Sequence, residues 1–194
     1  MLRLAAPGRE ISKEEFEAGE PRLRIDLINA QYDLKDASFP VILVVAGNDR
    51  IGCNHLIDRL HEWMDARYID THVFGRPTEE EGARPRFWRY WTSLPPKGKI
   101  GLLSGAWPLN AVADRVTDQL GKQGYAGRLE HIRQFEREHA EDGALILKFW
   151  IHVPSRELKK KLEAARDDAS RNWWMEDIDW LVCEHHAKAA GPIR

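Results

Sequence analysis

Three short apolar runs and one mixed, strand-like segment interrupt a chain that is otherwise amphipathic. Val41 to Ala46 is continuous and rich in β-branched residues, the pattern of a strand buried on both faces. Tyr68 to Phe74 reads as a second strand. Ile100 to Leu103, after the turn Pro95-Pro96-Lys97-Gly98, reads as a third, and Ala144 to Val153 as a fourth. Between the runs, apolar residues recur at helical spacing. Ser12 with Glu15 three residues on is a capping box that opens one helix. A second helical pattern runs from Pro21 to about Leu34, with Leu23, Ile25, Leu27, Ile28 and Tyr32 on its apolar face. From about Gly52 to Ala66, Leu56, Ile57, Leu60 and Met64 fall on one face. Thr78 with Glu79, Glu80 and Glu81 caps a helix carrying Phe87, Trp88 and Trp91. Helices follow near 108–121 and 126–140, and Ser155 caps a basic helix through Lys159, Lys160, Lys161 and Arg166.

Strands alternating with helices predict an α/β fold, a parallel sheet with helices on both faces. The expected organisation is a helical segment over 1–38 packed on the core, an α/β domain over 39–186 and a frayed tail over 187–194. Hydrophobic residues at 43% and charged residues at 31% exclude a disordered chain. A net charge of −2 supplies no drive toward nucleic acid or an anionic membrane, so neither is expected as a partner. Two cysteines, Cys53 and Cys183, build no disulfide framework, and a reducing cytoplasm is the expected setting. No apolar run approaches the ~20 residues that span a bilayer. The apolar stretch within Met1–Pro7 is too short for a signal peptide. Eight tryptophans are assigned to packing between sheet and helices, ahead of a role stacking a nucleobase.

The candidate chemistry lies at the end of the first apolar run. Pro40 to His55 has the layout of a strand, a glycine-containing turn and a helix, as in a phosphate-binding loop. In working loops of this kind a lysine follows the second glycine and reaches the terminal phosphates. Here Cys53 and Asn54 follow Gly52. Backbone amides at Gly47 and Gly52 could still cradle an anion at the helix N-terminus.

Several motifs in order resemble polyphosphate kinase family 2, and more closely the N-terminal half of the tandem polyphosphate:AMP phosphotransferases. They are Arg22-Leu23-Arg24, Ala30-Gln31-Tyr32-Asp33-Leu34, the 40–53 loop, Glu62-Trp63-Met64-Asp65 and Pro77-Thr78-Glu79-Glu80-Glu81. Further on come Trp88-Arg89-Tyr90-Trp91, Leu94-Pro95-Pro96-Lys97-Gly98, Phe135-Glu136, 143–150 and 177–180. The resemblance implies a P-loop kinase-like three-layer αβα sandwich that uses magnesium and polyphosphate to phosphorylate a nucleotide. It places an active loop of the form E-G-x-D-A-A-G-K-G-G on Gly47, Asp49 and Gly52, with the lysine falling on Cys53 and the next glycine on Asn54. The second signature, D-R-S-W-Y-N-R, falls on 104–110, where only Trp107 is kept and Ser104 and Gly105 replace the acid and the cation. Asp114-Arg115-Val116 echoes a further E-R-V, and the family's W-K pair falls on Trp173-Trp174. The family also continues into a further helix, strand and closing helix, so the sheet is expected to lack its last strand and to leave the fourth strand's Phe149 or Trp150 partly uncovered.

Phosphoryl transfer depends on positioning and on neutralising the transferred group's charge, and each charge-stabilising group is worth about 3 kcal/mol of barrier or more. Loss of several of them implies a domain that is non-catalytic, with a role in assembly or regulation. The expected phosphate or anion site is Gly47, Asn48, Asp49, Gly52, Cys53, Asn54 and Arg115. Asp49 is the one catalytic candidate if activity remains; otherwise it caps the following helix. No cofactor is required, and magnesium enters only with residual transfer to AMP or ADP. Cys53 is either a low-pKa thiol at a helix N-terminus or, preferred here, a small apolar filler. Cys183-Glu184-His185-His186 fits no zinc spacing. Lys159-Lys160-Lys161 is read as a solvated face in preference to a polyphosphate grip. The expected partners are a second copy or an active polyphosphate kinase homologue, with polyphosphate or nucleotide held weakly.

Overall fold

The chain opens with a single 22-residue helix, α1 (Lys13–Leu34), where the sequence suggested two segments. The computed structural model describes residues 10–117, 120–168 and 177–185. Ser12 caps α1 by accepting the Glu15 amide at 3.1 Å. Pro21 lies inside the helix without ending it; it removes one backbone bond on a solvated stretch, a cost the remaining turns tolerate. Most of the apolar face of this helix is not covered, although Leu27 packs against the core. Leu23, Ile25, Ile28 and Tyr32 are 46%, 56%, 43% and 68% exposed. The residues buried are Gln31 and Leu34. Gln31 brackets the Asp65 backbone through two hydrogen bonds, 2.9 Å to its carbonyl and 2.8 Å from its amide. A polar anchor thus seats the helix where periodicity predicted an apolar stripe.

β1 (Val41–Gly47), β2 (Ile69–Val73), β3 (Ile100–Ser104) and β4 (Leu145–Ile151) form one parallel sheet in the order β2-β3-β1-β4. β1 is internal, as its apolar run requires. Ile42, Val44 and Leu103 face a cluster with Tyr90, Trp107 and Phe135. Leu43, Val45 and Leu102 face the other side, with Leu34, Cys53, Ile57 and Trp63. The intervening helices are α2 (Arg50–Trp63), α5 (Trp107–Val116), α6 (Lys122–Glu141), α7 (Ser155–Arg166) and α8 (Asp177–Glu184). They give the three-layer arrangement, and α5, α7 and α8 close a third cluster around Val112, Leu158, Leu162 and Val182.

Two details differ from expectation. The helix predicted from Thr78 through Trp91 is two separate turns, α3 (Glu79–Gly82) and α4 (Trp88–Trp91). Thr78 and Glu81 form a full capping box, but Pro85 sits between the turns, and a residue preceding proline is pushed out of the helical region. Ser155 is the first residue of α7, with Pro154 at the cap position and no side-chain cap.

β4 lies at a sheet edge, and no strand pairs with its outer side among the described residues. In register with Val41, Leu43 and Val45 it presents Leu145, Leu147 and Phe149 on one face. These are 44%, 39% and 43% exposed. Trp173 and Trp174, His186 and the predicted tail lie outside the described residues.

Candidate functional site

At the carboxyl ends of β1 and β3 a cleft of about 1220 Å³ opens, walled by the α3–α4 segment, α5 and the start of α8. That is where open parallel sheets place ligands. The expected site residues divide there. Gly47, Cys53 and Asn54 line the cleft, as do Ser104 and Gly105; Asn48, Asp49, Gly52 and Arg115 do not.

Local geometry explains the division. A Cβ on Gly47 would stand 1.9 Å from the Ile151 carbonyl oxygen, so this glycine is required by the close approach of β1 to β4. A Cβ on Gly52 would meet an Asp49 carboxylate oxygen at 2.6 Å and Ile151 Cγ2 at 2.9 Å. Packing alone requires both glycines, and Gly47 also lines the cleft. The loop amides are also engaged internally. Asn48 N–H donates to the Ile151 carbonyl at 3.0 Å, and Cys53 N–H to the Asp49 carbonyl at 2.9 Å. Gly52 N–H donates to Asp49 Oδ1 at 3.1 Å. A carboxylate of the chain's own occupies the start of α2, where a phosphate would bring its charge.

Asp49 is 1% exposed. Its second oxygen accepts Lys161 Nζ from α7. Both carboxylate oxygens therefore have partners, the helix cap is as expected, and the lysine was not anticipated. A magnesium ion takes oxygen ligands in tight octahedral geometry. A buried Asp49 with both oxygens engaged, and Ser104 in place of a second acid, do not fit one. Cys53 is 5% exposed. Burial, and next the negative charge of Asp49, push its thiol up to about 12, so it is the apolar filler and not a reactive thiolate. Gly105 sits in the left-handed region at φ +67°, and a Cβ there would lie 3.0 Å from the Phe74 carbonyl oxygen. Arg115 is turned elsewhere, its guanidinium 5.0 Å from the Tyr125 ring centroid.

The cleft is nonetheless cationic. Arg50, Arg76, Arg84, Arg86, Arg89 and Arg128 line it against Glu81, Asp114 and Asp179. Arg89 lies 3.3 Å from Glu81, Arg128 2.8 Å from Asp114 and Arg50 3.3 Å from Asp179. Among the described residues Arg76 and Arg86 have no ion-pair partner within 4 Å. Burial pushes the Asp114 carboxyl up and the Arg128 guanidinium down, each opposed by the other's charge. Sequence reasoning missed this arginine wall, although four arginines within 76–89 were a visible signal.

Of the residues retained from the family pattern, Tyr90, Trp107, Phe135 and Glu136 serve packing. Trp107, 2% exposed, donates its indole N–H to Glu136 at 2.8 Å, and Glu136 accepts Lys148 Nζ from β4 at 2.6 Å. Tyr90, which accepts a hydrogen bond from Asn110 Nδ2, meets Trp107 edge-on at 5.4 Å, and Trp107 meets Phe135 at 5.0 Å.

The sequence profile of the polyphosphate kinase 2 (PPK2) family matches residues 10–188. The polyphosphate:AMP phosphotransferase of Pseudomonas aeruginosa is 36% identical over 185 residues, 95% of this chain and 37% of the relative. The GDP-polyphosphate phosphotransferase of Mycobacterium tuberculosis is 29% identical over 178 residues, 91% of this chain and 60% of the relative. The crystal structure of polyphosphate kinase 2 from Arthrobacter aurescens superposes with a TM-score of 0.81 at 22% identity, covering 96% of this chain and 68% of that one. The chain thus spans a little over a third of the length of the phosphotransferase it matches at 36% identity. With the profile, the identity and the fold in agreement, the chain belongs to the polyphosphate kinase 2 family.

Proposed function

We propose that this chain is a non-catalytic polyphosphate kinase 2-type domain, a pseudoenzyme acting in the cytoplasm in assembly or regulation of an active homologue or of its own kind. The observation that carries the reading is the state of Asp49. The one acid aligned with the active loop is buried, spent on the Gly52 amide and Lys161, and absent from the cleft wall. Cys53, Ser104 and Gly105 stand where a cation, a second acid and a second cation are needed, and three such losses remove about 9 kcal/mol of transition-state stabilisation at about 3 kcal/mol each. The test is direct. Purified protein with polyphosphate, magnesium and AMP or ADP should transfer no phosphate above background. Turnover within a few orders of an ordinary kinase's ~1–100 per second, abolished by Asp49→Ala, would overturn the reading.

The arginine wall favours a second reading, a passive site for polyphosphate or a nucleotide. Arg76 and Arg86 are exposed cations facing a cleft with more arginines than acids, and guanidinium groups suit phosphate oxygens. Binding here would need neither Asp49 nor a lysine at 53. The bare face of β4 supports association, since an unpaired edge with exposed apolar side chains favours pairing with another chain.

A further inference from the structure

Three consecutive side chains of the loop are directed at the C-terminal third of the chain. Asn48 brackets Val153, donating Nδ2 to its carbonyl at 2.9 Å and accepting its amide at 3.0 Å. Asp49 takes the Lys161 ammonium. Arg50 pairs with Asp179 at 3.3 Å, with side chains only 22% and 11% exposed. Their partners lie on the turn after β4, on α7 and on α8, and α8 in turn contributes Ile178 and Asp179 to the cleft wall.

We propose that residues 48–50 form a clasp that holds α7 and α8 closed on the loop and, by keeping the Asp49 carboxylate over the first amides of α2, shuts the loop against external phosphate. The inference deepens the non-catalytic reading, and its readout is the opening of α7, which an assay of turnover does not report. Two properties of the Asp49–Lys161 pair make it the centre of the device. The carboxylate is desolvated while the lysine is 40% exposed, so the lysine can leave toward water but the acid cannot follow. The same carboxylate caps α2, so the group that holds α7 is also the group that fills the anion position.

The test uses the full chain with Lys161→Met, Asp49→Asn and their combination, read by amide hydrogen exchange and by titration with inorganic tripolyphosphate. Each single variant should speed exchange in 155–166 by about tenfold or more, the scale of breaking a buried pair through local opening, with β1 and β3 unchanged. The double variant should be no faster than the worse single, because both remove the same contact. Asp49→Asn, whose amide oxygen can still accept the Gly52 N–H, should bind tripolyphosphate at least about tenfold more tightly than the parent, since a like charge at the anion position has gone. Unchanged exchange in both single variants, additive effects in the double, or unaltered tripolyphosphate affinity in Asp49→Asn would overturn the proposal.

Discussion

Glu136 is the residue whose loss should tell most about what the conserved-looking motifs do. Its carboxylate is shared between the indole N–H of Trp107 and the ammonium of Lys148, at 2.8 and 2.6 Å. In Glu136→Ala both donors lose their acceptor. The Trp107 N–H, on a side chain 2% exposed, would be left without its partner, at about 1–3 kcal/mol. The Lys148 ammonium loses its counter-ion. For a fully buried pair that is about 3–5 kcal/mol, but side-chain exposures of 24% and 17% admit water and reduce it to about 1–2 kcal/mol. The expected total is about 3 kcal/mol, or a fall in Tm of about 6–12 °C for a chain of this size. Glu136→Gln keeps an oxygen for the indole and loses only the charge, so it should cost about half as much. Urea unfolding followed by tryptophan fluorescence and by far-ultraviolet circular dichroism measures both variants. A change in Glu136→Ala below about 0.5 kcal/mol, the level of an ordinary surface substitution, would refute the reasoning, as would a glutamine variant equal to the alanine one.

Cys53, with its thiol at about 12, should react with a disulfide reagent at pH 8 at least about a thousandfold more slowly than a free cysteine; rapid labelling in the native protein would sink the filler assignment. The His139 imidazole packs 4.5 Å from the Phe135 ring, and burial holds its pKa below the ordinary 6.5. The unfolded chain therefore binds this proton first as pH falls, so stability is intact above 6.5 and is lost as pH drops toward the lower folded value. Unfolding midpoints between pH 7 and 5 should show this slope, and His139→Phe should flatten it; an unchanged slope refutes the assignment. The β4 face should support association at micromolar concentration by light scattering, and Leu147→Lys with Phe149→Lys should reduce it; a parent protein of strictly monomeric mass removes the argument.

The sheet was legible chiefly because β1 and β3 are marked by apolar runs of the kind a doubly covered parallel strand carries. Val41 to Ala46 predicted both its pairing and its central place. The cleft was legible in position, since a strand-turn-helix layout fixes where a ligand can approach. What escaped was anything decided between distant residues. Asp49 and Lys161 are 112 positions apart, and neither the loop motif nor a run of three lysines says that the two will meet. Periodicity marked an apolar face on α1 that is largely exposed, because a pattern records which face could be covered and not whether this chain covers it. The glycines of the loop were ambiguous for a related reason: one residue type serves a phosphate cradle and a tight backbone crossing equally well.

The turn at Gly105 bears on the history of the site. With φ at +67° and the Phe74 carbonyl 3.0 Å from where a Cβ would stand, any other residue there meets about 1–2 kcal/mol of backbone opposition before its side chain does anything useful. An arginine, which the family resemblance places here, would have to accept this left-handed turn and make the Phe74 carbonyl give by a few tenths of an ångström. On the non-catalytic reading proposed above, a cation introduced here alone would start under that handicap, so the geometry of one glycine weighs against simple restoration of charge at the cleft mouth.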